Sequence, residues 1–259
     1  MGLRSTSAVV SHTMRMTNSS KLVSLVTDRY GLVKVMAKGA RRPQSKYGAA
    51  LEPVTLIDCI YYFKNTREIQ TLSDAEIIEP YSGLKSDIKM FSIASCLVEI
   101  ARQETAQEDP SAGTYPLLVE SLDGLKHSDT ADADKHLWRF MLRFLAAAGY
   151  RPALDRCMKC GKAPKGRSVF LSYADGGVIC SCTDPGDMFG SRVSPGALRI
   201  MNELMTAKVD DLPRLKINRA QRSEVEEITL KFLSYHSGYS RAPRALAFLR
   251  KIEAGKRRK

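Results

Sequence analysis

The sequence predicts an α+β protein: a small N-terminal β-barrel followed by an α-helical domain that is interrupted by a cysteine-rich insertion. Three observations lead there. Short β-rich runs separated by turn residues fill the first 80 positions. From Leu84 the apolar residues recur at helical spacing. Four of the six cysteines fall inside one aperiodic stretch, 150–193. The corresponding divisions are 1–80 for the barrel, 81–259 for the helical domain and 150–193 for the insertion.

The strand candidates are Ser7–Thr13, Lys21–Thr27, Leu32–Ala37, Val54–Phe63 and Glu68–Ser73. Asn18-Ser19-Ser20 and Asp28–Gly31 are turns of hairpin length. Five short strands leave exposed edges unless they close, so a barrel is expected. The five-stranded OB-fold is the natural candidate, with an SH3-like barrel as the alternative on pattern alone. Between the third and fourth strands runs Ala37-Lys38-Gly39-Ala40-Arg41-Arg42-Pro43-Gln44-Ser45-Lys46. Gly and Pro make it a loop. Its four cations, Lys38, Arg41, Arg42 and Lys46, come without an acid inside the segment, which suits tracking of a phosphate backbone.

Helical spacing puts Leu84, Ile88, Phe91, Ser95 and Val98 on one face, and Leu137, Phe140, Met141, Phe144, Leu145 and Ala148 on another. Both stripes are core. Trp138 lies off the second stripe and is expected to be half-buried. Asp129–Asp134 is an acidic lead-in to this helix and Gly149 ends it. After the insertion, Ser194-Pro195 reads as a helix start. Ser223–Glu226 has capping-box spacing before Val225, Ile228, Phe232 and Tyr235. Pro243 opens a last helix bearing Leu246, Leu249 and Ile252, followed by the basic tail Lys256–Lys259.

In the insertion, Cys157 and Cys160 form a C-x2-C knuckle ahead of Gly161, and nineteen residues separate it from Cys180-Ser181-Cys182. Two close pairs suggest a zinc ribbon: one structural Zn²⁺ per chain held by Cys157, Cys160, Cys180 and Cys182. The second pair is C-x-C where C-x2-C is usual, which narrows the chelate. Four thiolates leave no open coordination position, so the metal is structural. Ser168–Tyr173 and Val178–Cys180 read as the ribbon's hairpin. Cys59 and Cys96 lie on apolar faces and read as core.

Net charge is +12, distributed unevenly. Residues 1–50 hold nine Lys/Arg and one acid, residues 51–150 nine and sixteen, and residues 214–259 thirteen and four. A polyanionic partner fits such ends, and the bases beyond residue 213 are candidates for further phosphate contacts. No stretch approaches the length of a membrane span, and no secretory leader is visible, so the cytoplasm, and no membrane partner, is expected. His12, His127, His136 and His236 are scattered, and no phosphate-binding loop or paired-carboxylate motif is present. A binding protein is favoured over an enzyme.

Ser20–Val26, Asp28–Gly31 and above all Ala37-Lys38-Gly39-Ala40-Arg41-Arg42-Pro43 with Ser45 resemble the N-terminal OB-fold of the RecO family. Leu72–Glu79 resembles the segment leaving that barrel. Gly149-Tyr150-Arg151-Pro152, Leu154, Cys157-x-x-Cys160-Gly161 and Asp175-Gly176-Gly177-Val178 with Cys180 resemble its ribbon region. Phe232–His236 and Ser240-Arg241 resemble its C-terminal helices. The resemblance runs nearly end to end, in order. It implies a bacterial recombination mediator that binds single- and double-stranded DNA and anneals complementary strands. It also implies a role, with RecR, in loading recombinase onto strands coated by single-stranded-DNA-binding protein, whose acidic C-terminal tail suits a basic, apolar pocket on the helices. The competing readings are a zinc-ribbon nucleic-acid-processing enzyme (nuclease, glycosylase or RNA-modifying) and an OB-fold transcription or translation factor.

Overall fold

A computed structural model describes residues 2–105, 113–166, 168–186, 188–237 and 242–256. Ser240, Arg241 and the tail beyond Lys256 lie outside the described residues. Contacts divide the chain into two compact units, Met1–Lys126 with Pro243–Lys259, and His127–Ala242.

The first unit is built on a closed five-stranded barrel of order β1-β2-β3-β5-β4. Its strands are β1 (Gly2–Arg15), β2 (Lys21–Thr27), β3 (Gly31–Ala37), β4 (Leu56–Phe63) and β5 (Ile69–Glu79). β1 is long enough to serve both sides of the closure: residues 2–9 pair with β4 and residues 8–15 with β2, around an irregularity between Val10 and His12. β3 and β5 pair in parallel through Lys34–Met36 and Ile69–Thr71. This is the OB-like arrangement. Alternating side chains Val23, Leu25, Val33, Val35, Ile57, Cys59, Tyr61 and Leu72 fill the interior.

Several strand limits differ from the sequence reading, and β1 runs Gly2–Arg15 where Ser7–Thr13 was expected. β4 begins at Leu56, because Val54 adopts φ +56°, a left-handed conformation that a β-strand cannot continue through. The Val54 N–H donates to Val10 O at 2.9 Å and the Val10 N–H to Thr55 O at 2.9 Å, which hold that kink against β1. β5 runs on through Glu79: its register with β4 shifts at Ser73 and again at Ile78, so the segment that read as a barrel exit stays paired. The β3–β4 connector is also more than a solvated loop. Tyr47, Ala50 and Leu51, around the 3-10 turn Gly48–Leu51, belong to the barrel core, and Tyr47 Oη donates to Leu72 O at 3.1 Å.

Helices α1 (Ser82–Ser86), α2 (Ile88–Glu104), α3 (Thr114–Lys126) and α7 (Arg244–Lys256) complete this unit. The carboxylate of Asp87 caps α2, accepting from the N–H groups of Lys89 and Met90 at 2.8 and 2.9 Å. The chain is extended at Asp87 (φ −112°, ψ 128°), so α1 and α2 are not one helix. Helical phase counted from Leu84 is lost there. The buried residues of α2 include Met90, Ile93, Ala94, Leu97, Val98 and Ile100; of the stripe read as core, Leu84 and Val98 are buried, while Ile88 and Phe91 are 49% and 36% exposed. Leu246 and Leu249 of α7 are buried as expected, and α7 packs on α2.

The second unit packs α4 (Ala133–Ala147), α5 (Pro195–Thr206) and α6 (Arg219–His236) around one core, with a three-stranded sheet attached. α4 is covered on nearly every side, which is why Trp138 is 1% exposed where half-burial was expected, whereas Ala148, read as part of the stripe, is exposed past the last turn. Its buried cations reach carbonyls near the ends of other segments. Lys135 Nζ donates to Leu212 O at 3.0 Å and Arg139 Nε to Ala207 O at 3.0 Å. Ser194 caps α5 through the Ala197 N–H, as read. α6 begins one turn earlier than read, with an Asn218/Gln221 capping box. Ser223 lies inside that helix, where its hydroxyl donates to Arg219 O, and Glu224 accepts instead from the Ser194 N–H and Oγ at 2.6 and 2.7 Å.

Candidate nucleic-acid interface and metal centre

The basic loop leaves β3 at Ala37 and is pinned at several points. The Arg41 N–H donates to Ser19 O at 3.1 Å, and Arg41 Nη1 donates to Thr17 O at 2.8 Å. Two further turns close through Arg42 N–H to Gly39 O and Ser45 N–H to Arg42 O, both 3.0 Å. Gly39 sits at φ +73°, where a β-carbon would be strained. Lys38 and Arg42 are exposed and have no acid partner among the described residues, while Arg41 is half-buried. Lys46 differs from the sequence reading. Asp74 of β5 lies 3.8 Å from its ammonium, Ser73 O accepts from it, and the Tyr47 ring lies 5.3 Å away. An acid from a distant strand therefore reaches the loop, which sequence distance conceals. Lys38, Arg41 and Arg42 remain as the unneutralised group.

The sequence reading missed a second cationic feature of the barrel. Arg4 of β1 lies over the Phe63 ring at 3.2 Å and near the Tyr30 ring at 4.5 Å. Nothing in the spacing of those three residues brings them together. The pairing of the first residues of β1 with the last of β4 brings Arg4 to Phe63, and Tyr30 joins them from the turn between β2 and β3.

The four insertion cysteines converge. Their sulfurs all lie within 4.8 Å of one another, Cys157 to Cys182 at 3.6 Å and Cys160 to Cys180 at 3.7 Å. A tetrahedron with metal–sulfur bonds of about 2.3 Å has edges of about 3.8 Å. The cluster therefore fits one tetrahedral thiophilic ion, and these residues could hold a metal. The narrow C-x-C pair does not prevent closure, because its two sulfurs each meet a different member of the knuckle. Gly161 (φ +70°) turns the knuckle, and the Cys157 sulfur accepts from the N–H groups of Lys159 and Cys180 at 3.4 and 3.3 Å. Burial opposes ionisation of Cys157, yet N–H donors from Cys180, Cys160 and Lys159 outweigh it and draw the thiol down to about 6. Without a cation the four cannot all ionise, and Cys182 is pushed up to about 12, chiefly by the Cys180 sulfur. Cys59 is a core thiol, pushed up to about 12 by burial and then by Asp58.

The cluster sits on a sheet of order β7-β6-β8, with β6 at Val169–Ser172, β7 at Gly177–Ile179 and β8 at Gly190–Val193. The hairpin was legible in the sequence and β8 was not, since Gly190-Ser191-Arg192 has no apolar alternation. Tyr173 joins the ribbon to α6, with ring contacts to Phe232 at 5.9 Å and Tyr235 at 6.0 Å.

Comparison with known proteins gives one answer along the chain. Residues 1–81 match the family model "Recombination protein O N terminal" and residues 85–244 match "Recombination protein O C terminal". A DNA repair protein RecO of Salinibacter ruber is 31% identical over 97% of this chain and 95% of its own length. Those of Frankia casuarinae and Desulfatibacillum aliphaticivorans are 32% and 29% identical, over 93% and 95% of this chain and 96% of each relative. No described helix is long and apolar enough to cross a membrane. The chain belongs to the RecO family of DNA repair proteins.

Proposed function

We propose that this chain binds single- and double-stranded DNA, anneals complementary strands and, with RecR, helps load recombinase onto strands coated by single-stranded-DNA-binding protein. The supporting observation is the loop Lys38–Lys46 on an OB-like barrel: its backbone is pinned by hydrogen bonds while Lys38 and Arg42 stay exposed and unneutralised. Cations on a fixed loop lower the repulsion between polyanions without reading bases, so binding is nearly indifferent to sequence. In this reading residues 1–80 are the strand-binding module, and Lys38, Arg41, Arg42 and Lys46 contact phosphates, with Lys46 released from Asp74 to do so. Residues 150–193 form a zinc ribbon inside the helical part, 81–259, with Zn²⁺ on Cys157, Cys160, Cys180 and Cys182. The acidic tail of the single-strand-binding protein docks on the helical part. The protein works in the cytoplasm at the nucleoid and is not an enzyme.

The test uses labelled single- and double-stranded oligonucleotides with and without Mg²⁺. Salt-sensitive binding of both, with no cleavage and no base release, supports the reading. Sustained turnover abolished by a point substitution in this chain would favour a processing enzyme. Strong preference for promoter DNA or ribosomal RNA would favour a transcription or translation factor.

A further inference from the structure

The cysteine cluster is uneven in what it shows to solvent. Cys160 and Cys182 are exposed, whereas Cys157 and Cys180 are buried. The short sulfur contacts run across the two pairs, each joining an exposed cysteine to a buried one: Cys182 to Cys157 at 3.6 Å and Cys160 to Cys180 at 3.7 Å. The Cys157 sulfur accepts from the N–H groups of Lys159 and Cys180 at 3.4 and 3.3 Å, which hold its charge. The Cys182 sulfur accepts a longer bond, 3.8 Å, from Thr183 Oγ1. An exposed thiolate with a second sulfur in reach favours oxidation that stops at a disulfide, because the partner traps the first oxidised species before more oxygen adds.

Crossed pairing has a structural consequence. Cys180 follows directly on β7, and the Met158 N–H holds the knuckle to the same strand by donating to Val178 O at 2.8 Å. Bonds from Cys157 to Cys182 and from Cys160 to Cys180 join the same two segments that a shared metal joins. Shortening each contact to the ~2.05 Å of a disulfide moves each sulfur by roughly 0.8 Å. Bridges inside each pair would close on themselves and leave the two segments separate.

We infer that the four cysteines are a site of reversible oxidative modification by peroxide, in which two crossed disulfides take over from zinc and keep the ribbon folded. This rests on the zinc reading above. The Cys182 thiolate attacks an oxygen of hydrogen peroxide; the S–O bond forms, the O–O bond breaks and hydroxide leaves. The Cys157 thiolate attacks the Cys182 sulfur; the S–S bond forms, the S–O bond breaks and a second hydroxide leaves. Cys160 and Cys180 react in the same way with a second peroxide molecule. Each sulfur gives up one electron and each peroxide accepts two. The sulfurs, no longer thiolates, then release the metal without any change in its oxidation state. Cys59 and Cys96 are buried elsewhere and stay thiols.

The experiment treats the full chain, purified with its metal, with about two equivalents of hydrogen peroxide in the presence of a chromophoric zinc indicator. About one zinc per chain should be released, and a dithiol reductant with added zinc should restore the starting state. Lys159 lies between Cys157 and Cys160, so trypsin separates them. Fragmentation of the joined peptides between Cys180 and Cys182 then assigns the partners, expected to be Cys157–Cys182 and Cys160–Cys180. Hydrogen exchange should show β6 and β7 still protected in the oxidised, metal-free chain and unprotected in the reduced chain held in chelator. Retained zinc, sulfinic or sulfonic acids in place of disulfides, any other pairing, or lost protection in the oxidised chain overturns this site and leaves the zinc reading standing. A chain that holds no zinc before peroxide is added overturns both.

Discussion

Removing the metal from the ribbon should melt the ribbon and leave the barrel folded. The sulfur pairs at 3.6 and 3.7 Å are already within about 0.2 Å of a tetrahedral edge, so an ion enters with little rearrangement. Structural zinc in small domains contributes about 10–16 kcal/mol of apparent binding free energy near neutral pH, most of which is folding free energy. That equals or exceeds the ~5–15 kcal/mol by which an entire ordinary domain is stable. The ribbon has only three strands of three or four residues and a few buried apolar side chains, such as Leu171, Val178 and Val193. It has no other source of stability of that size. Strong chelator, or Cys160→Ser, should therefore abolish hydrogen-exchange protection in β6 and β7 and weaken the Tyr173–Phe232 contact on α6. Protection in β1–β5, which lie in the other unit, should be unchanged. Metal analysis before chelation should find about one zinc per chain. A metal-free purified protein whose β6 and β7 amides are equally protected with and without chelator would refute the reasoning.

Other perturbations test other parts. His136 is buried with no hydrogen-bond partner on either ring nitrogen, and burial, aided by Arg139, lowers its pKa from 6.5 to about 4. The unfolded chain thus takes up a proton in a window where the folded chain does not. Stability present above pH 6.5 is lost as pH falls toward 4, by at most about 3 kcal/mol. Urea melts monitored through the single Trp138, in the same unit, should show that loss, and His136→Leu should flatten it. Gly190→Ala should disrupt the ribbon, because a β-carbon there would meet Leu171 O at 2.1 Å and the Phe170 ring at 2.7 Å. A cost of at least about 2 kcal/mol is expected in the same melts. Arg41→Ala/Arg42→Ala should shallow the single-strand salt slope by about one unit and weaken all sequences alike, with the melting curve almost unchanged, since only the Arg41 bond to Thr17 O is lost.

The barrel was legible because short runs rich in Val, Ile, Leu, Thr and Tyr are separated by turn residues. Closure was expected, but not how it is made: β1 extends back to Gly2 through the polar residues Arg4 and Ser5 to meet β4. The α2 face was misread because one extended residue, Asp87, resets helical phase and is invisible to a periodicity count. The α6 start was misread because two segments with cap spacing, Asn218–Gln221 and Ser223–Glu226, begin only five residues apart. At the candidate sites, local spacing revealed the cysteine cluster and the 38–46 loop. The Asp74 contact to Lys46 and the Arg4–Phe63–Tyr30 group come from non-local strand pairing, which composition and spacing do not encode.

The central claim is that this chain joins complementary strands without chemistry of its own. The most direct measurement is the rate of annealing of two complementary oligonucleotides, each already coated with the cognate single-stranded-DNA-binding protein, without nucleotide. The wild-type chain should accelerate duplex formation and lose that effect as salt rises, and Arg41→Ala/Arg42→Ala should be slower at every salt concentration. Annealing no faster than in the chain's absence, with the protein folded and metal-loaded, would contradict the claim.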